Sequence, residues 1–355
     1  MKLLQRILAA VLVLGMSLSL TACSDTTWVV DYEGEKIPSG VYLALSMTAY
    51  AQAQTHEDID SSIKDLMKQT LEGKAAKDWI IERTLQFCNE YTAVERKFAE
   101  MSLELTEEDT RTIDSSVENT WAVFGAVYEE NGVAKSSYRK VIENSQKKGL
   151  IFDAYYAADG VEPVSDEDLM VHFKENYASI NMFRMAPKSG EDLSEEDQKL
   201  NDGLKAKADE LVQQINEGSL TYGEALDAYN HYMNRNEHDS SNENDVITED
   251  EESRTYMKKG TSNPSEKVVN AVFNEVTPDG DAKVIADGDY YYVVKRYDAT
   301  KDQKNFDEMR ASVLLDIKND PFEEMVTEWG KALSYTLNDA AVKKYNPKNI
   351  DLALS

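Results

Sequence analysis

The spacing of apolar residues changes twice along this 355-residue chain, and that change limits the architectures open to it. Between residues 41 and 158 apolar side chains recur at helical steps of three and four. The first set is Tyr42, Leu43, Leu45, Met47 and Tyr50. Ile63, Leu66, Met67, Leu71, Trp79, Ile80, Thr84, Phe87, Tyr91, Val94 and Phe98 follow, then Tyr138, Val141, Ile142, Leu150, Ile151 and Tyr155. Ala178 to Met185, Asp281 to Ile285 and Tyr290 to Arg296 read instead as short strands, the last two joined by a turn at Asp287-Gly288. Helical spacing returns from Phe306 to Tyr335, through Met309, Val313, Leu314, Ile317, Phe322, Met325, Val326 and Trp329. The pattern predicts a helical module, a small α/β module, and a final long helix.

Local signals place the boundaries. Thr27 to Tyr32 reads as a strand, followed by a turn at Glu33 to Glu35 and a helix from near Val41 that Ser39 would cap. The stretch from Ile63 to Met101 reads as helical throughout. Thr106 and the acids after it mark a helix start; that helix reaches toward Trp121, with breaks at Gly125 and Gly132. Ser136 or Ser137 opens the next, which stops at Ala157 to Gly160. Ser165 opens a short helix that ends at Asn176, Ser194 a long one to Ile215, and further helices cover Tyr222 to Tyr232 and Ser265 to Phe273. Pro321 should interrupt the last helix, and Leu337 to Ser355 read as a tail. Residues 234–254 are polar and acidic and read as a loop; they lack the spacing of a Ca²⁺-binding loop.

The N-terminus has the form of an export signal. Lys2 and Arg6 precede an apolar run from Ile7 to Leu20, which falls short of the roughly 20 residues a membrane-spanning helix needs. Leu20-Thr21-Ala22-Cys23 resembles a bacterial lipobox, which implies removal of residues 1–22 and a diacylglyceryl group on Cys23. Removing Lys2 and Arg6 takes the formal charge from -28 to -30. A chain this acidic has no basic surface for nucleic acid or anionic lipid, so attachment to the membrane falls to the lipid itself, whose two acyl chains suffice for stable anchoring. The charge suits solubility or basic clients.

Cys88 is the remaining cysteine and reads as a small buried residue on a helix. The chain carries no Gly-x-Ser-x-Gly elbow, His-Glu-x-x-His, phosphate-binding loop or dinucleotide fingerprint. His56, His172, His231 and His238 lack metal-ligand spacing, and no metal or cofactor is expected.

Three features together carry a resemblance: the lipobox, the opening Trp28-Val29-Val30-Asp31-Tyr32-Glu33-Gly34-Glu35-Lys36-Ile37-Pro38, and Pro163-Val164-Ser165-Asp166-Glu167-Asp168-Leu169 with Phe173 and Asn176-Tyr177. In this order they resemble extracytoplasmic foldase lipoproteins of the PrsA/SurA type. The resemblance implies an α+β, mostly helical fold in which a helical chaperone module, completed by a returning C-terminal helix, carries an inserted parvulin-like domain. On that reading residues 1–22 are the lipoprotein signal, 23–160 the N-terminal helical module, 161–300 the parvulin-like domain with its acidic loop 234–254, and 301–355 the helix and tail that pack back. Tyr42, Trp79, Phe87 and the returning helix would share one core.

Parvulins rotate X-Pro bonds, whose uncatalysed isomerisation takes tens to hundreds of seconds. The family's catalytic cluster has a His on the first strand, a His on the last and a Cys or Asp between them. Here Met182 stands at the first position and Tyr292 at the last, with no firm match for the third near Tyr232. Val268 replaces the aromatic that would contact proline, and Phe273 remains as part of the pocket. No catalytic residue is assigned. The resemblance therefore implies a membrane-anchored, extracytoplasmic chaperone or foldase that binds unfolded or newly secreted polypeptides, with an impaired isomerase domain. An active peptidyl-prolyl isomerase with an altered site and a non-catalytic envelope adaptor are the alternatives.

Overall fold

A computed structural model describes residues 27–60, 62–190, 192–234, 255–301 and 303–353. The signal segment, Cys23 and residues 235–254 of the acidic stretch lie outside the described residues. The fold is α+β and mostly helical. The chain divides into two compact units, Val164–Ile317 and the segments on either side of it, Met1–Pro163 with Lys318–Ser355.

The first unit starts with β1 (Trp28–Tyr32) and β2 (Glu35–Pro38), then α1 (Ser39–Gln54). Val41, Tyr42, Leu43, Ala44, Leu45 and Met47 are all buried, so α1 is covered on nearly every side, as befits a helix apolar all round. Ser39 lies inside the helix and Pro38 takes the N-cap position, which corrects the expected cap. The helix expected to start at Ile63 begins only at Ala76. Before it stand a single turn at Leu66–Lys68 and a hairpin of β3 (Thr70–Leu71) and β4 (Lys74–Ala75), turned by Glu72 and Gly73 at φ 50 and 76. Then come α2 (Ala76–Glu100), α3 (Glu107–Glu130) and α4 (Lys135–Tyr156).

Thr106 caps α3 in a capping box with Asp109. The helix passes unbroken through Gly125, where the Trp121 indole occupies the space a Cβ would take. The chain turns at Gly132, φ 81, instead.

The C-terminal part of this unit starts within α9 (Gln303–Lys331), from Lys318 onward. Pro321 does not end the helix; it is exposed, and the next residue, Phe322, is buried edge-on against Phe152 at 5.3 Å. Trp329 meets Tyr155 at 5.8 Å. Beyond α9, β9 (Thr336–Leu337) pairs with β1, and Asn338 donates to the Trp28 carbonyl at 3.0 Å. The sheet order is β2-β1-β9, and α10 (Asp339–Lys344) closes the unit. The segment read as a tail thus contributes a strand and a helix to this unit. Tyr42 belongs to the cluster around Val29, Val30 and Cys88, while Trp79 borders a separate one around Leu71 and Ile80. The single shared core expected for Tyr42, Trp79, Phe87 and the returning helix is divided into two clusters that Phe87 borders on both sides, and Phe322 and Trp329 meet α4.

The second unit contains α5 (Asp166–Asn176), β5 (Tyr177–Met185), α6 (Glu195–Asn216), α7 (Tyr222–Tyr232), β6 (Thr255–Lys258), α8 (Glu266–Glu275), β7 (Lys283–Asp287), β8 (Tyr290–Tyr297) and α9 as far as Ile317. Ser165, Ser194 and Thr221 accept hydrogen bonds as N-caps. The four-stranded sheet is antiparallel in the order β6-β5-β8-β7. Side chains alternate across it. Phe183, Met185 and Val293 pack under α6 and α7; Ala178, Ile180, Met182, Tyr292 and Val294 pack under α8. Asp316 ties α9 to this unit. It accepts from Tyr177 and Lys258, and His172 Nε2 stands 3.6 Å away. Burial pushes its carboxyl up, but the hydrogen bonds from Lys258 and Tyr177 prevail and hold it below the usual range.

Two glycines with opposite surroundings test the packing of the first unit. A Cβ on Gly330 would stand 3.1 Å from the Asn89 carbonyl carbon and 3.2 Å from the Glu90 nitrogen, both backbone atoms of α2. A Cβ on Gly149 in α4 meets nothing within 4 Å. Gly330→Val should destabilise by about 1–3 kcal/mol through overpacking. Gly149→Ala should stabilise by roughly 0.5–1 kcal/mol from helix propensity. Denaturant unfolding of the two variants measures both; shifts of the same sign would contradict the packing described.

Candidate functional site

The four positions singled out for an isomerase pocket come together in one layer. Met182 sits on β5 and Tyr292 on β8, each 3 % exposed, and Val268 of α8 is fully buried. Phe273, one turn further along α8, packs at the layer's edge. The strand register explains the meeting: Met182 lies opposite Val294, and Arg184 opposite Tyr292, so all four side chains leave the same face.

Their chemistry is that of a core. Met182 shares a buried cluster with Ala178, Ile180, Val268, Val272 and Val294, and Ile285 beside Tyr292 belongs to it too. The Tyr292 hydroxyl has its acidity lowered by burial, with Arg184 opposing that shift. Arg296 lies 4.9 Å over the Phe273 ring and donates to the Phe273 carbonyl at 3.1 Å. His172 faces Asp316, and His231 is exposed on α7. Tyr232, near the family's third position, donates to the Leu200 carbonyl at 2.8 Å. A proline ring requires an apolar slot beside polar groups; here methionine and valine side chains fill the layer.

A wide groove lies in the helical unit. It measures about 950 Å³ and runs between α1, α2, α4 and the later part of α9. Helical spacing builds its α2 wall, since Arg83, Gln86, Phe87, Glu90, Tyr91 and Val94 follow one another at three- and four-residue steps and share a face. Leu45, Phe87, Tyr91, Val94 and Val141 supply apolar surface. Thr48 and Gln52 of α1, Asn144, Ser145 and Lys148 of α4, and Glu323, Glu324, Thr327, Glu328 and Lys331 of α9 supply polar surface.

A hydrogen-bonded chain organises the polar side. Arg83 donates to Gln52 at 3.0 Å and to Gln86 at 2.7 Å, and its guanidinium lies 4.5 Å over the Phe87 ring. Gln86 donates to Glu90 at 2.9 Å, and Thr327 of α9 donates to the same carboxylate at 3.0 Å. Lys148 bridges to Glu323 at 2.5 Å. Asn144 donates to the Tyr91 carbonyl and to Glu95, each at 2.9 Å. Apolar patches alternate with amides and both signs of charge, an arrangement that accepts peptide backbone and mixed side chains without demanding one sequence.

The apolar periodicity of α2 already contained Phe87, Tyr91 and Val94. The amides and charges had no such signal, because polar residues on a helix read as solvent-facing until a neighbouring helix is placed. Among the described residues no group of His, Cys, Asp and Glu is arranged to hold a metal ion, and no helix is long and apolar enough to cross a membrane.

Neither family models nor curated proteins match the chain. Among solved structures it is similar to the foldase protein PrsA from Streptococcus pneumoniae, at 14% identity and TM-score 0.39, covering 79% of this chain and 98% of that one. It is also similar to the foldase protein PrsA from Lactococcus lactis, at 10% identity and TM-score 0.38, covering 92% and 100%. PrsA from Bacillus subtilis matches at 13% identity and TM-score 0.29, covering 90% and 98%.

If Met182 is core, truncation should cost what core truncation costs. Met182→Ala is expected to destabilise by about 2–5 kcal/mol, and Tyr292→Phe by roughly 1 kcal/mol through the lost hydroxyl interaction. Chemical denaturation checks both; a Met182→Ala variant as stable as the parent would mean that an open slot exists there.

Proposed function

We propose that this protein is an extracytoplasmic holding chaperone of the PrsA/SurA type, tethered to the membrane through a lipid on Cys23. It binds unfolded or newly secreted polypeptides, and its parvulin-like unit has lost efficient prolyl isomerisation. The observation that carries the reading is the groove of about 950 Å³, whose walls interleave apolar side chains with amides and charges. A binding site for many sequences needs surface for apolar side chains and partners for exposed peptide groups, since unpaired polar groups are costly once water is displaced. The filled layer around Met182 and Tyr292 supports the loss of catalysis. The lipobox and the short spacer after Cys23 support a position near the membrane, where exported chains emerge unfolded.

Thr48 is exposed and lines the groove. Thr48→Trp is expected to raise several-fold the concentration of protein needed to halve the aggregation of a denatured client diluted from guanidinium. Its own stability should change by no more than about 0.5 kcal/mol, as for other surface substitutions. Undiminished suppression by a folded Thr48→Trp variant would exclude the groove as the holding surface.

A further inference from the structure

We propose that the outer edge of β7 is a second polypeptide-binding site, which takes an extended, positively charged client segment as an added strand. The proposal rests on the client-holding reading above and adds a place and a chemistry to it. β7 is the last strand of the sheet order β6-β5-β8-β7, and among the described residues β8 is its only strand partner.

The register shows which backbone groups face outward. β7 and β8 are joined by the two-residue loop Gly288-Asp289, with Gly288 at φ 58, and Asp287 lies opposite Tyr290. In such a hairpin the closing pair exchanges both hydrogen bonds, and bonding pairs alternate from there. Asp287, Ile285 and Lys283 therefore direct their N–H and C=O groups toward Tyr290, Tyr292 and Val294 of β8. Val284 and Ala286 direct theirs away from the sheet. Two donors and two acceptors in that alternation are complementary to one kind of ligand, another extended backbone.

The edge lacks the usual defences. Strands exposed in this way are commonly protected by proline, a bulge, or charges placed along the edge. β7 contains no proline, and its pairing with β8 runs without a register shift. Its charged residues are drawn toward α8: Lys283 donates to the Glu275 carbonyl, and Asp287 stands 3.9 Å from Lys267. Next to the edge a groove of about 370 Å³ runs between β7 and α8, with Asn270 and Asn274 one helical turn apart along it. Ala286 is exposed at its margin. Backbone bonds would form at Val284 and Ala286, while side chains on one face of the added strand would enter this groove.

Charge selects the occupant. Pairing of two copies through β7 would bring together molecules whose formal charge of -28 becomes -30 once Lys2 and Arg6 are removed, whereas a segment rich in lysine or arginine is attracted to a chain of that net charge. A cationic, extended client is therefore the fitting partner.

The test uses the full processed chain and a seven-residue, end-blocked peptide of alternating lysine and valine. Hydrogen exchange at the amides of Val284 and Ala286 is followed with and without peptide. The peptide should slow exchange at both amides, and an alternating glutamate–valine peptide should do so far less. N-methylation along one edge of the lysine–valine peptide, which removes its donors without altering the protein, should abolish protection. Ala286→Pro removes an outward N–H and leaves the bonds to β8 intact, so it should weaken binding roughly fivefold, the loss expected for one hydrogen bond. Equal binding of the N-methylated peptide, equal protection by the glutamate peptide, or absence of protection at these amides would overturn the proposal. So would protection that appears without peptide as protein concentration rises, which would make a second copy the occupant. Thr48→Trp separates the two readings. If it abolishes client holding but not β7 protection, the sites are independent; client holding without β7 protection leaves the groove reading standing and this one refuted.

Discussion

β5 is buried on both faces, and the second unit is organised around that burial. Residues 177–183 and Met185 are all withdrawn from water: Ala178, Ile180 and Met182 under α8, Phe183 and Met185 under α6 and α7, and Tyr177 against Phe173 of α5 and Asp316 of α9. A strand enclosed in this way commits each side chain to one of two packed layers, and protein interiors pack at close to crystal density with few voids. An isomerase slot on the α8 face would require small or polar groups to leave room for a proline ring. Met182, Val268 and Tyr292 instead occupy it. The same packing that stabilises the strand fills this face of the sheet with side chains.

In the helical unit the balance is reversed. The approach of α9 to α2 at Gly330 closes one side of the helical assembly, while a wide groove remains between α1, α2, α4 and α9. Its polar side chains are already paired with one another: Arg83 to Gln52 and Gln86, Glu90 to Gln86 and Thr327, Lys148 to Glu323. Such pairs fix the walls relative to one another. Because surface ion pairs and amide hydrogen bonds contribute modestly, they can be exchanged for bonds to a bound chain at little net cost. A site with these properties favours breadth of recognition over tight selectivity.

The elements legible in the sequence were those whose signal is local. Thr106, Ser165 and Ser194 marked helix starts because their side chains accept bonds three residues ahead. The strands β5, β7 and β8 announced themselves by composition. The β3–β4 hairpin was invisible, since strands of two residues establish no period and Leu66 and Leu71 happened to fit a helical one. Gly125 and Pro321 looked like breaks because each weakens a helix on its own, yet Trp121 packs at the first and Phe322 anchors the helix just past the second. β9 depends on Val30 and Asp31 from the far end of the chain, a partnership no local pattern announces. Met182 and Tyr292 share one sheet face and Val268 and Phe273 lie on the helix that covers it. Whether they enclose a slot or fill a layer is decided by packing between elements, which periodicity does not encode.

The proposed holding without catalysis is tested most directly by cis–trans exchange of an Ala-Pro peptide. The uncatalysed reaction takes tens to hundreds of seconds. At a protein concentration that fully suppresses aggregation of a denatured client, the exchange rate should match that in buffer. A clear acceleration that disappears in Tyr292→Phe would contradict the account and restore the sheet face as a working active site.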